Sequence, residues 1–267
     1  MLEFFVLGRL EARSVHGGTT LRGSFQRSLL LSLLVSEGRM VSSEALVQEV
    51  WGEDPPGGVG NALQAHVSRL RKKLDALEPE RTRARLVGDP HGYQLLLDGA
   101  TLDADAFARS VREARAAAPE APGRARDTLR AALLRWRGPA LADVGGVLCR
   151  SAAARYDENR VQALELLFDS ELALGNHAHV LGELREACAE NPLRERFCEQ
   201  LMLALYRSGR QAEALETYRQ LWSRLTEELG IEPSPLLRRI ERAILRHDPQ
   251  LAPPGPRTSV PSVPSVA

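Results

Sequence analysis

The spacing of apolar and polar positions changes at a few points along the chain, and these points divide it into predicted elements. Residues 2–22 alternate irregularly around a Gly17-Gly18 turn, which is typical of a short β-meander. Apolar residues then recur at helical spacing in a segment that begins with Ser24 as N-cap and stops at Gly38, and again over 44–51 and 61–77. Residues 86–87 and 93–97 flank a turn and predict a β-hairpin.

The segment 61–77 has the clearest division into two faces. One apolar stripe, within about 60° around the helix axis, contains Leu63, Val67, Leu70 and Leu74. The opposite face carries small, amide-bearing and cationic side chains: Asn61, Gln64, Ala65, Ser68, Arg69 and Lys72. No acidic residue occurs from Asn61 to Lys73, whereas a helix that is merely solvated usually mixes both signs.

Considered by itself, the basic end of this segment is better explained by the favourable interaction of cations with the C-terminal end of their own helix. Its surroundings favour another interpretation. Two helices precede it and a hairpin follows it, which is the order of a winged helix-turn-helix, whose last helix enters the major groove of DNA. The sequence therefore predicts a DNA-facing helix at 61–77.

Residues 99–248 are rich in Ala, Leu, Arg and Glu and show almost no strand pattern. The predicted helices span 103–117, 123–137, 146–174, 177–190, 193–208, 211–229 and 234–246. Gly175 and Gly209 each end a predicted helix and lie 34 residues apart, which is the tetratricopeptide period of paired helices. An ordinary helical bundle is the alternative. The predicted fold class is mainly α, with an N-terminal winged helix-turn-helix (α+β) followed by an all-α tetratricopeptide-like helical domain.

Composition narrows the class of protein. Of 267 residues 43% are hydrophobic, which is enough for packed cores, and 35 basic residues balance 35 acidic ones, so a nucleic-acid site must be a local patch. Three scattered cysteines indicate reduced thiols in a cytoplasmic protein. Neither a signal peptide nor a membrane-spanning run is apparent. No catalytic or metal-binding set stands out, and no cofactor is expected.

Two blocks of sequence resemble known domains. The stretch NALQAHVSRLRKKL, preceded by EALVQEVWG and followed by HGYQL, resembles the OmpR/PhoB-type DNA-binding domain. The stretches LLRWRGPALADV and YRSGRQAEALETYRQLWSRLTEELGIEPSPLLRRIERAILRHDP resemble the bacterial transcriptional activator domain. Together, residues 1–248 are similar to a small member of the Streptomyces antibiotic regulatory protein (SARP) family.

The resemblance implies a transcription activator of a secondary-metabolite gene cluster, cytoplasmic and nucleoid-associated, and not an enzyme. Such proteins bind direct repeats in promoter DNA, side by side as a homodimer on DNA, and recruit RNA polymerase holoenzyme through its sigma factor. The expected domains are 1–98, 99–248 and a disordered Pro/Ser-rich tail over 249–267. The alternative is a non-catalytic helical-repeat scaffold or ligand sensor in which the winged helix binds protein.

The resemblance also assigns site residues, because Asn61, Ala62, Ala65, His66, Arg69 and Arg71 occupy positions where this type of domain contacts bases or phosphates. The helical periodicity agrees for Asn61, Ala65 and Arg69, and places His66 and Arg71 on the flanks. Asn and Gln amides can read adenine, an Arg fork can read guanine or grip phosphate, and lysines suit phosphate. The predicted DNA-binding set is Asn61, Gln64, Ala65, His66, Ser68, Arg69, Arg71, Lys72, Lys73, Arg85 and His91.

The resemblance also implies roles for two further segments. The family wing commonly carries an arginine before its Gly-Tyr turn, but here the position is Asp89, which repels phosphate. Either the wing stands off the DNA, or Arg85 and His91 supply its contacts.

The loop between the second and third helices lies where the family has its transactivation loop. Its acidic residues and prolines could meet a basic surface of sigma or polymerase. They are Glu53, Asp54, Pro55 and Pro56. A mere connector is an equal alternative for this loop.

Overall fold

The computed structural model describes residues 1–19, 21, 23–142 and 146–253. Strands β1 to β7 span, in order, Leu2–Phe5, Glu11–Ser14, Gly17–Thr19, Val41–Ser42, Leu86–Asp89, Gly92–Leu95 and Ala100–Leu102. Helices α1 to α10 span, in order, Ser24–Val35, Ser43–Trp51, Val59–Leu77, Asp103–Ala117, Pro122–Leu133, Val147–Ala173, Leu181–Glu190, Glu195–Arg207, Gln211–Arg224 and Pro235–Leu245. The predicted fold class, mainly α with an N-terminal α+β region, is confirmed.

The chain divides into two compact units. The first contains residues 1–114 and 128–163, and the second contains residues 115–127 and the chain from 164 onwards. Both sheets belong to the first unit. β1, β2 and β3 form the predicted antiparallel meander, and β7 adds to the outer side of β1 in parallel, giving the order β3-β2-β1-β7. β7 was not predicted, because three residues are too few to show a period.

The three predicted N-terminal helices are all present. The Ser42 side chain accepts a hydrogen bond from the Ala45 amide at 3.1 Å and caps α2. The cap predicted at Ser24 is wrong by one position, because the N-cap is Gly23 and Ser24 is already helical. The predicted hairpin is β5–β6, with Asp89 opposite Gly92 at its tip, and β4 completes a second sheet in the order β4-β6-β5.

The apolar stripe of α3 is part of the core of the first unit. Leu63, Val67, Leu70 and Leu74 are each at most 2% exposed. They face α1, whose own leucines from Leu29 to Leu34 are at most 1% exposed, and α3 also packs against α2. Burying a leucine side chain stabilises the fold by about 1.5–3 kcal/mol, so this stripe fixes which face of α3 remains open to solvent.

Arg85 lies inside the fold, and its predicted role as a DNA contact is wrong. Its side chain is only 2% exposed. Nε and Nη2 donate to the Glu78 carboxylate, the second at 2.7 Å, and Nη1 donates to the carbonyls of Leu96 at 2.7 Å and Asp98 at 3.1 Å. The guanidinium therefore joins the end of α3 to the connection between β6 and β7.

The second unit contains α7 to α10, the later part of α6, and the end of α4 with the start of α5. Gly175 and Gly209 both have left-handed φ values, 81° and 76°, and each follows a helix, as the 34-residue offset predicted. The helix predicted over 177–190 begins only at Leu181. The final turn of the helix predicted over 211–229 is a π-helix, Leu225–Leu229.

The predicted disordered tail begins differently from the expectation. Pro249–Leu251 form a 3-10 helix, and the Leu251 carbonyl accepts a hydrogen bond from Arg207 Nε at 2.9 Å. The remainder of that prediction, residues 254–267, lies outside the described residues. Within the described part of the chain, no helix combines the length and apolarity that crossing a membrane requires.

Gly92 is where β4 and β6 approach most closely. A Cβ atom at this position would lie 2.1 Å from the Val41 carbonyl oxygen and 2.9 Å from Ser42 Cα. We therefore expect Gly92→Ala to lower the free energy of unfolding by about 3 kcal/mol, measured by urea denaturation. The control is Gly60→Ala in α3, where a Cβ would meet nothing within 4 Å. Equal stability of the two variants would contradict the tight pairing of β4 with β6.

Candidate nucleic-acid interface

α3 presents one continuous exposed face, which we call the recognition face. It consists of six exposed residues, each of which has another member of the set three or four positions away: Asn61, Gln64, Ala65, Ser68, Arg69 and Lys72. No acidic residue occurs in α3 before Asp75. The structure thus brings together, on one side of a rigid helix, all the residues that the sequence predicted for its outer face.

The chemistry of the recognition face suits base edges and phosphates. The amides of Asn61 and Gln64 each offer a donor and an acceptor side by side, which matches the edge of adenine in the major groove. The Arg69 side chain forms no hydrogen bond or ion pair with the other described residues, so its five donors are available for guanine or phosphate. Ala65 and Ser68 between them leave space for close approach of a helix to the groove.

Arg71 and Lys73 flank this face, and each is partly held by a neighbouring element. Arg71 Nε donates to the Leu86 carbonyl of β5 at 2.9 Å, and Lys73 Nζ donates to Gln26 Oε1 of α1 at 2.6 Å. Both cations keep further N–H groups for phosphate. The partners could not be found from sequence, since they lie 15 and 47 positions away and follow no local pattern.

His66 packs against two aromatic rings that also contact each other. Its ring centroid lies 5.5 Å from that of Phe25 and 5.8 Å from that of Trp51, both with edge-to-face geometry. Burial and the neighbouring Arg69 guanidinium lower the pKa of His66, so the imidazole is neutral at pH 7. Its Nδ1 is buried without a hydrogen-bond partner among the described residues. A phosphate contact from His66 would therefore use a neutral Nε2–H group.

At the tip of the wing, the side chain of Asp89 closes the turn. Asp89 is the residue that departs from the family pattern. Asp89 Oδ1 accepts hydrogen bonds from the amides of His91 at 2.7 Å and Gly92 at 3.0 Å. The His91 carbonyl in turn accepts from the Ser43 amide at the start of α2 at 3.0 Å. The His91 side chain is exposed, and with Arg85 buried it is the remaining predicted contact of the wing.

The loop between α2 and α3 is open to solvent. Its four candidate residues, Glu53, Asp54, Pro55 and Pro56, are all exposed. Left-handed glycines stand at both ends of the loop, Gly52 with φ 64° and Gly58 with φ 73°, which only glycine adopts without strain. Neither carboxylate forms an ion pair with another residue in the described part of the chain. The loop therefore offers a small acidic surface beside the recognition face.

Within the described residues, no group of three or more His, Cys, Asp or Glu side chains is arranged to hold a metal ion. Cys149, Cys188 and Cys198 are free thiols, and burial raises the pKa of Cys149 and Cys188 to about 12 each. Such thiols are protonated at neutral pH and are poor nucleophiles.

Lys72 lies at the C-terminal end of the recognition face and is exposed. A lysine ammonium is a point charge that suits phosphate rather than one base edge. We therefore expect Lys72→Ala to weaken binding to every DNA sequence about equally and to reduce the slope of log K against log salt by about 0.9. Titrations of operator and unrelated DNA at several salt concentrations measure both effects. A change in sequence preference would instead mean that Lys72 reads bases.

Two family models match the chain. The bacterial transcriptional activator domain matches residues 102–245. The model described as transcriptional regulatory protein, C terminal, matches residues 21–95. The second match contains α1 to α3 and the wing, and the first contains α4 to α10.

Several characterised proteins are similar over nearly the whole chain. The transcriptional regulator RedD of Streptomyces coelicolor is 43% identical over 95% of this chain and 73% of its own length. The regulatory protein DnrI of Streptomyces peucetius is 35% identical over 100% of this chain and 99% of its own. A solved structure of Mycobacterium tuberculosis EmbR, in complex with a low-affinity phosphopeptide, covers 93% of this chain with a TM-score of 0.84 and 34% identity, over 66% of the EmbR chain.

Proposed function

The chain belongs to the SARP family of transcriptional regulators, which joins an OmpR/PhoB-type DNA-binding domain to a bacterial transcriptional activator domain, and we propose that it activates transcription by binding direct repeats in promoter DNA and recruiting RNA polymerase. The genes it controls are, on this proposal, those of a secondary-metabolite cluster. The chain acts as a non-catalytic regulator.

The recognition face of α3 carries the proposal. It is exposed, free of acids and held on a buried apolar stripe, so it can enter the major groove without rearrangement of the helix. Asn61, Gln64 and Arg69 are assigned to base edges, and Lys72 to phosphate. Arg71, Lys73 and His66 are assigned to phosphates beside the groove, and His91 to the backbone near the wing.

One exposed segment supports contact with polymerase, and the proposed direct repeats imply pairing on DNA. The acidic, exposed loop over 53–56 lies beside the recognition face, where a basic surface of the sigma factor or polymerase can meet it once α3 is in the groove. Direct repeats place two copies of the chain in the same orientation, one behind the other, so that each protomer presents this loop in turn. The chain then binds DNA as a homodimer.

A footprint on the upstream region of the neighbouring genes tests this function. We expect two protected major-groove segments of the same orientation, separated by about one helical turn, 10–11 bp. In-vitro transcription with purified holoenzyme should rise when the protein is added. The charge-reversed loop variant Glu53→Lys/Asp54→Lys should keep the footprint but lose the stimulation. Loss of both would assign the loop to DNA binding instead, and stimulation equal to that of the native chain would make the loop a connector.

A further inference from the structure

The residue that directly precedes α6 is a glycine, which has no side chain to cap the helix. Gly146 stands at the N-cap, where its carbonyl accepts a hydrogen bond from the Arg150 amide at 2.9 Å. An N-cap residue is usually Ser, Thr, Asp or Asn, whose side-chain oxygen accepts from the second or third N–H group of the helix. In α6 those two groups are the amides of Leu148 and Cys149. Gly146 has no side-chain oxygen that could accept from them.

Glu49 of α2 supplies the missing acceptor from another part of the chain. The Leu148 amide donates to Oε1 at 2.5 Å, and the Cys149 amide donates to Oε2 at 3.4 Å. Glu49 is only 6% exposed, and burying a carboxylate is costly unless it is hydrogen-bonded. The positive end of a helix dipole is a favourable place for such a group. The contact is therefore a helix cap built between two elements that lie 99 positions apart in sequence.

The fit around this cap leaves no space for a side chain at residue 146. A Cβ atom on Gly146 would lie 1.8 Å from Glu49 Oε2. Beside the cap, the fully buried Cys149 places its Sγ 3.9 Å from Ser32 Oγ of α1. The start of α6 thus contacts both α1 and α2, and these are the two helices against which α3 packs.

We propose that Glu49 is a positioning residue for DNA binding, which caps α6 from α2 and thereby holds the helix-turn-helix in the orientation that α3 needs in the groove. The proposal rests on the proposed function, since it concerns how the same recognition face is held. A shift at the start of α6 then moves α2, and α3 with it. Through this one carboxylate the region matched by the activator-domain model acts on the DNA contact.

The competing explanation is that Glu49 only stabilises α6. Two variants separate the possibilities. Glu49→Ala removes both the cap and the link between α2 and α6. Adding Gly146→Asp to that variant restores a cap within α6 itself, because Glu49 no longer fills the space and the φ of Gly146 lies outside the left-handed range. The control is Glu44→Ala, which removes an exposed carboxylate from the same helix.

The measurements are the Tm of each variant and its affinity for the footprinted operator. We expect Glu49→Ala to lower the Tm and to weaken operator binding about tenfold, while Glu44→Ala changes neither. Glu49→Ala/Gly146→Asp should regain the Tm but remain at least about fivefold weaker than the native chain. If the double variant regains both, or if Glu49→Ala binds the operator normally, the proposal is overturned.

Amide hydrogen exchange without DNA separates this proposal from the function on which it rests. In the double variant, the first turn of α6 should regain native protection while α3 exchanges faster than in the native chain. If the native protein binds no DNA, the proposed function fails, but the exchange result still decides the coupling. Equal protection of α3 in the native chain and the double variant would overturn it.

Discussion

Arg69→Ala is expected to abolish operator binding while leaving the fold intact. Arg69 is exposed in the middle of the recognition face and makes no hydrogen bond or ion pair within the described residues. Its removal therefore costs no internal contact, but takes away the only guanidinium on that face. A bidentate arginine contact is worth about 1–3 kcal/mol, and the lost charge adds to this, so we expect the operator Kd to rise about 100-fold or more.

The matched control for this substitution is Arg109→Ala, because Arg109 is an exposed arginine of α4, outside the helix-turn-helix and the wing. Both variants should give the circular dichroism spectrum and the Tm of the native protein. Fluorescence anisotropy with labelled operator should then separate them. An unchanged footprint for Arg69→Ala, or an equal loss for Arg109→Ala, would remove the recognition face as the reading surface.

Arg85→Ala should clearly lower the stability of the first unit. The guanidinium is buried, binds both oxygens of Glu78 and satisfies two backbone carbonyls. Its removal leaves the partly exposed Glu78 carboxylate and two backbone carbonyls without their donors, and since a hydrogen bond to a charged group is worth about 1.5–3 kcal/mol, we expect the free energy of unfolding to fall by about 3 kcal/mol. Urea denaturation measures the change. Arg83→Ala, two residues earlier and exposed, is the control and should stay within about 0.5 kcal/mol of the native value.

The pair of Arg85 and Glu78 also makes the stability of the first unit depend on pH. The hydrogen bond from Arg85, and then its charge, lower the pKa of Glu78 below its usual value of 4.5. The carboxylate contributes its full stabilisation above the pKa of the unfolded chain, and that contribution is lost as the pH falls through the lowered pKa of the folded state. Unfolding free energies measured from pH 6 down to about pH 3 should fall more steeply for the native chain than for Glu78→Gln. Parallel curves would contradict the pairing.

Local periodicity predicted α1, α2 and α3, the hairpin and the apolar stripe of α3, because each of these depends on residues close together in sequence. β7 could not be predicted in this way. Its three residues become a strand only by pairing with β1, about 98 positions earlier, as the register of Leu2 with Ala100 records.

Side chains with a distant partner were the main source of error at the candidate site. Arg85 carries the same charge as Arg69, and a resemblance to the family's wing suggested a DNA contact. What separates the two is the carboxylate of Glu78 and two carbonyls that only the folded chain brings to Arg85. For the same reason the sequence did not reveal that Glu49 caps a helix 99 positions away. The recognition face was predictable because solvent exposure on a helix follows from its periodicity alone.

The equilibrium constant for operator binding, measured by anisotropy as a function of salt, tests most directly whether α3 binds DNA through its recognition face. With about three phosphates neutralised by Arg71, Lys72 and Lys73, the slope of log K against log salt should lie near about −2.7. The Arg69→Ala chain should show no specific binding under the same conditions. A native chain that binds no DNA at low salt, or that binds with a slope near zero, would contradict the account.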